Sequence, residues 1–336
     1  MKSSNDHRLD YRRFKRNPTR RNFGLGKTIG FAAHIALLWL YGYGQHQTRH
    51  AHHVRFRQFA MYLRTEFRIL DVRRIHQSHL DAYAQALDAL VSAGQMKVSY
   101  AQNLLSSVNT VMYAFRRDRD NWIAPAGSVG RRSQVRTAVP GGDWAQVENV
   151  VAQLQSAGNQ RAAAIVLLAR AFGMRYREAV LGDLNRLKRE AQLTGYITVL
   201  EGTKGGRRCL SRRVEVGDRQ KYALQFALSA RPKGSANLLA SGETFKSFLG
   251  SSAKAARPKL KAAGIRCFHD LRAARMIEVY ENIAGQPAPV RGIPIDQKRD
   301  VNARVQVALQ SGHGEHRTSV SYVGGKPRGT VQETQP

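Results

Sequence analysis

Residues 268–283 read Phe-His-Asp-Leu-Arg-Ala-Ala-Arg-Met-Ile-Glu-Val-Tyr-Glu-Asn-Ile, a helical pattern that opens on His269-Asp-Leu-Arg272. Four other short stretches surround it. Upstream lie Phe172-Gly-Met-Arg175-Tyr-Arg-Glu178-Ala-Val-Leu-Gly-Asp183-Leu and Gly202-Thr-Lys204-Gly-Gly-Arg207. Downstream lie Ser311-Gly-His313 and Thr318-Ser-Val-Ser-Tyr322, with nine residues from His313 to Tyr322. Taken singly, each is weak. An arginine on a helix is ordinarily solvated, a tyrosine is ordinarily a half-buried aromatic, and Cys267 and His269 would equally flank a core element. All five in one order carry more weight, because two arginines, two histidines, a lysine and a tyrosine then converge on one domain.

The elements around them predict that domain over 143–325. Asp143 is a helix cap. Helices are expected at 143–156, 159–172, 219–230, 243–263, 268–283 and 298–310, with a short one near 315–323. Strand patterns at Tyr196–Glu201 and Arg208–Val216 flank Thr-Lys-Gly-Gly, which reads as a β-hairpin turn. Pro287, Pro289 and Pro294 mark an inserted loop at 284–297. Nearer the N-terminus, four amphipathic stretches at Lys27–Tyr43, His50–Glu66, Ser78–Ala93 and Ser99–Arg117 predict a helical domain over 27–122. The last carries a stripe of Leu104, Val108, Val111 and Phe115. Residues 123–142, rich in Pro and Gly, read as a basic linker, and 1–26 and 326–336 as a basic N-terminal and a polar C-terminal tail.

Charge narrows the partner. The chain of 336 residues has 54 Lys+Arg against 24 Asp+Glu, a net charge of +30. It is also uneven. Tyr11–Thr65 holds eleven Lys or Arg and no acid, 121–142 is acid-free, and Arg219–His269 holds ten basic residues with Glu243 alone opposing them. A short one-sign run is ordinarily a solvated face, but three of them point to a polyanion. Arg49, Arg55, Arg57, Arg131, Arg132, Arg136, Lys254, Lys259 and Lys261 are the candidate contacts to a nucleic-acid backbone. A membrane partner fails on length: the best apolar run, Ile29–Tyr41, has 13 residues including His34, where a span needs about 20. Two cysteines exclude a disulfide-rich scaffold and cannot alone build a zinc site. Gly24-Leu-Gly26-Lys27-Thr28 lacks the first glycine and the strand of a phosphate loop, and His46, His50, His52 and His53 have no acidic or thiol neighbours to make a metal site.

The five stretches resemble the tyrosine recombinase (phage integrase) family. The first is similar to its "GLR-x-x-E" segment, the second to the turn holding its lysine, and the third to its "H-x-x-R" box. The fourth is similar to its "LGH" box, with Ser311 for leucine, and the fifth to its nucleophile segment. The resemblance implies a mainly α fold with a small β-sheet or hairpin. The expected architecture is a two-domain DNA clamp of a helical SAM-like core-binding domain and a DNA breaking-rejoining catalytic domain. It implies catalytic roles for Arg175, Lys204, His269, Arg272 and His313, with Tyr322 as nucleophile. Paired guanidiniums suit a phosphodiester that gains charge in its transition state. A phenol with a pKa of about 10 needs that cationic pocket to lose its proton. The expected activity is site-specific recombination through a 3′-phosphotyrosyl link, without metal or cofactor. The partners implied are double-stranded DNA at attachment or core sites, three further copies in a homotetramer, and an accessory or directionality protein, in the cytoplasm with the nucleoid. Integration or excision of a mobile element is the expected role. A dimer resolvase, or a cleavage-inactive DNA-binding regulator, is the alternative. The N-terminal 27 residues are expected to be too short for the separate arm-binding domain of larger family members.

Overall fold

The computed structural model describes residues 9–206, 209–292, 296–312 and 319–325, in two compact units divided between Ser133 and Gln134. The fold is mostly helical with one small antiparallel sheet.

The first unit packs α1 (Ile29–Tyr41), α2 (His46–Phe67), α3 (Gln77–Ser92) and α4 (Val98–Arg116), followed by the single turn α5 (Pro125–Ser128). Thr28 caps α1 by accepting from the Phe31 N–H, worth about 1 kcal/mol. The apolar stripe predicted on α4 is buried and meets Phe56, Phe59 and Leu63 of α2 in one core. Among the described residues no helix is long and apolar enough to cross a membrane.

Two sequence-based boundaries are corrected. Residues 9–26 are not a tail. Tyr11, Phe23 and Leu25 are buried in the first core, and the Asn22 side chain replaces missing backbone partners. Asn22 Oδ1 accepts from the Val72 N–H at 2.9 Å, while Nδ2 donates to the Gly26 and Lys27 carbonyls. A few aromatic anchors between arginines suffice for this, and overall polarity conceals them. Gly24 and Gly26 adopt φ of +74° and +151° here, and a Cβ on Gly26 would lie 2.5 Å from the Phe31 ring. These glycines serve a turn. The linker is likewise shorter than 123–142. Ile123 and Val129 belong to the first core, Asn109 bonding both backbone groups of Ile123. At the other end Pro140 is buried, and the Gly142 N–H donates to Gln146 of the second unit.

The second unit begins with α6 (Trp144–Ser156), capped by Asp143 and Gln146 in a reciprocal box. Next is α7 (Gln160–Phe172), buried on nearly every side, which makes it the hub on which the other helices pack. Gly173, at φ +62°, turns the chain into α8 (Tyr176–Leu181). Then come α9 (Leu184–Thr194), β1 (Tyr196–Thr198), β2 (Arg213–Glu215), α10 (Asp218–Ala230) and α11 (Phe245–Ala262). The chain closes with α12 (Phe268–Ala284), α13 (Gln297–Gln310) and the short α14 (Val320–Val323). Helix α9 has no counterpart in the sequence reading, although Asp183 caps it plainly.

The predicted hairpin is also corrected. The strands pair in the register Tyr196↔Glu215, Ile197↔Val214 and Thr198↔Arg213, so each has three residues and 199–212 is a long connection. Gly202, Gly205 and Gly206 sit at φ of +70° to +72°, outside the pleated range, which stops the ladder early. Gly202 lies so close to α8 that a Cβ would come 2.5 Å from the Arg177 carbonyl oxygen. That contact docks the Lys204 loop. Helices α12, α13 and α14 share a smaller core containing Met276, Tyr280, Val307 and Tyr322.

Candidate active site

A single carboxylate organises the second unit. Glu178 of α8 is fully buried. Its Oε1 lies 2.7 Å from Arg175 and 2.8 Å from Arg212, and its Oε2 lies 3.8 Å from Arg272. It also caps its own helix, accepting from the Arg175 N–H at 2.6 Å. Burial alone would raise its pKa. The charges of Arg212 and Arg272 and the hydrogen bonds from Arg212 and the Arg175 backbone override that and hold it at about 2.

Arg272 and Arg212 are themselves buried. Arg272 donates to the carbonyls of Gly173 and Ser311, and its Nε lies 3.0 Å from the Tyr322 hydroxyl. Arg212 donates to the Gln310 carbonyl at 3.0 Å and the Gly173 carbonyl at 3.2 Å. The carbonyls of Gln310 and Ser311 end α13, where unsatisfied oxygens and the helix dipole favour cations. Burial, then the adjacent Arg212, pulls the Arg272 pKa down to about 10, which leaves it protonated.

Tyr322 is 2% exposed in α14, with its ring under the Arg272 guanidinium and 5.6 Å from the His269 ring. His269 opens α12 and keeps an exposed edge. Desolvation of its packed edge, then the charge of Arg272, pushes its pKa below the ordinary 6.5. Arg175 keeps 29% of its side chain exposed, at the edge of the cluster. Lys204 stands exposed on the turn 204–206. His313 lies outside the described residues.

The structure therefore brings Arg175 and Arg272 to Glu178, with Tyr322 against Arg272 and His269 against Tyr322. The sequence reading did not single out Arg212. A signal was present: period-two alternation places Arg212 on the same face as Val214 and Val216, which point into the core.

Two candidate DNA contacts are corrected. Arg49 is 3% exposed and bonds inward to the carbonyls of Tyr43 and Gly44 and to His46. It closes the bend 42–45 before α2. Arg136 donates to the Ser321 carbonyl and to Asp270. Arg57, Arg131, Arg132, Lys254 and Lys261 are exposed, and Arg55 and Lys259 are half-buried.

Residues 133–276 match the family described as Integrase. A lambda integrase tetramer bound to a Holliday junction has the same fold, at a TM-score of 0.50 and 16% identity, covering 90% of this chain and 79% of that one. Lambda integrase (residues 75–356) bound to DNA matches at 18% identity and TM-score 0.41, over 68% of this chain and 79% of that one. XerA recombinase matches at 16% and 0.33, over 85% and 93%. A search of curated proteins returns no match. The fold is thus lambda integrase-like. The family match covers less than half of the chain and, apart from Ser133, lies in the second unit.

Proposed function

We propose that this chain is a site-specific DNA recombinase that cuts and rejoins strands through a covalent link to Tyr322. The observation that carries the reading is the Tyr322 hydroxyl 3.0 Å from Arg272, in a cluster of three arginines around one carboxylate. Three guanidiniums against one carboxylate leave an excess of positive charge, which suits a phosphodiester.

The Tyr322 oxygen attacks phosphorus as its proton leaves to His269 or water. The P–O5′ bond breaks, the 3′-phosphate stays on Tyr322, and the departing 5′-oxygen takes a proton from Lys204. The reverse attack by a 5′-hydroxyl reseals the strand. Arg175 and Arg272 stabilise the charge on the non-bridging oxygens, with His313 as a further donor. Glu178 holds Arg175, Arg212 and Arg272 in place. The bond energy is conserved in the phosphotyrosyl ester, so the cycle needs no nucleotide hydrolysis.

The exposed Arg57, Arg131, Arg132, Lys254 and Lys261 are proposed to lie along the backbone of double-stranded DNA. A homotetramer is proposed to join two duplexes; the lambda integrase of like fold is a tetramer bound to a Holliday junction. Integration or excision of a mobile element is the proposed role, within the nucleoid and with an accessory protein setting direction.

The test is a covalent-adduct assay. Wild type and Tyr322→Phe are incubated, without added metal or ATP, with nicked duplexes tiled from DNA flanking the gene. A denaturant-stable protein–DNA band from wild type alone is the expected result. A band that survives in Tyr322→Phe overturns the assignment of the nucleophile. Tight binding with no band from any fragment would instead identify a cleavage-inactive DNA-binding regulator.

A further inference from the structure

Tyr322 sits in α14, a single turn of four residues. A helix this short does not hold itself together, so the place of the Tyr322 hydroxyl is imposed by what grips the turn. From one side Arg304 of α13, bound to Asp300, donates to the carbonyls of Gly324 and Gly325 at 3.1 and 2.9 Å. From the other side the grip comes from the segment that follows the first unit. The Arg136 N–H donates to the Val320 carbonyl at 2.9 Å, and its Nε donates to the Ser321 carbonyl at 3.2 Å. The rest of the same guanidinium reaches Asp270 Oδ1, at 3.3 Å from both terminal nitrogens. Asp270 is buried, is also bound by Arg266, and stands between His269 and Arg272 on α12.

We propose that Arg136 is a positioning residue for Tyr322, tying the nucleophile's turn to the helix that carries His269 and Arg272. The inference rests on the reading of Tyr322 as nucleophile. Arg136 lies in an acid-free basic stretch, where a phosphate contact is the ordinary expectation, yet its donors are committed within the protein. A planar fork can hold a carbonyl and a carboxylate at once. A lysine ammonium on a flexible stem cannot reproduce that span. Losing the fork frees the turn to shift against Arg272, and a displacement of about 1 Å at a reacting atom can cost roughly 100-fold in rate.

The test uses the full chain and the nicked duplex that gives the wild-type adduct. Arg136→Gln, Arg136→Lys and Asp270→Asn are compared in single-turnover adduct formation and in DNA affinity across salt. All three are expected to slow adduct formation about 10- to 100-fold, with affinity within twofold of wild type and an unchanged salt slope. The double variant Arg136→Gln/Asp270→Asn is expected to be no slower than either single one, since both remove one link.

A second substrate carries sulfur at the 5′-bridging position, which leaves without a proton. The defect of Lys204→Ala should be rescued on it, while that of Arg136→Gln should persist, because nucleophile placement is not relieved by a better leaving group. Full activity in Arg136→Lys, or a loss confined to affinity with a shallower salt slope, overturns the proposal in favour of a phosphate contact. Rescue of Arg136→Gln by the sulfur substrate also overturns it. Absence of a wild-type adduct, or an adduct in Tyr322→Phe, overturns the nucleophile reading and this inference with it.

Discussion

Replacing Glu178 by Gln tests whether one carboxylate holds the site together. The substitution keeps the shape and removes the charge, leaving the buried Arg212 and Arg272 beside each other without their counter-ion. The carboxyl is held at about 2 against an ordinary 4.5, which at 1.36 kcal/mol per pKa unit corresponds to about 3 kcal/mol. Removing one partner of a buried ion pair costs about 3–5 kcal/mol by general experience, so the two estimates agree. Stabilities of single domains run to about 5–15 kcal/mol, so the second unit should remain folded but weakened. Urea unfolding at pH 7 is the assay, followed by the fluorescence of Trp144 in chains whose Trp39 and Trp122 are Phe. With a urea dependence of about 3 kcal/mol per molar, the midpoint should fall by about 1 M. The pH dependence fixes the cause. A depressed carboxyl pKa gives stability that is whole above pH 4.5 and is lost as pH falls toward 2. The gap between wild type and Glu178→Gln should therefore close across that window. A gap under about 1 kcal/mol at pH 7, or one that stays constant down to pH 2.5, would refute the reasoning.

Two further outcomes are expected. Arg49→Ala should destabilise the first unit by about 1–3 kcal/mol, because it strips partners from the Tyr43 and Gly44 carbonyls. The salt slope of DNA binding should be unchanged, and a slope lower by about one would restore the phosphate-contact reading. His269, lowered by desolvation and then by Arg272, should titrate below 6.5 in an NMR experiment. If it takes the Tyr322 proton, adduct formation is flat near pH 7 and falls only below 6.5. A falling limb above 6.5, or one that survives in His269→Gln, would remove His269 from that role.

Periodicity located most helices, because an amphipathic stripe must face a core wherever the chain puts it. Helix α9 escaped because its short pattern is mostly polar, although Asp183 announced its start. Polarity misled at 9–26, where Tyr11, Phe23 and Leu25 pack between arginines. It misled again at Arg49 and Arg136, since a basic run records charge and says nothing of which guanidiniums turn inward.

The residue types of the site were legible in the sequence. Arginine, lysine, histidine and tyrosine at those spacings are chemical statements, and they survive any arrangement of the helices. Their partnerships were not legible. That Glu178 gathers Arg212 and Arg272, and that Arg136 reaches Ser321 and Asp270, depends on groups from 34 to 185 positions apart. Local patterns cannot encode such distances. Only the packing of α8 and α12 on the buried α7, and of α13 on α12, brings those charges within hydrogen-bonding reach, and there the low polarity of the interior makes each pairing decisive.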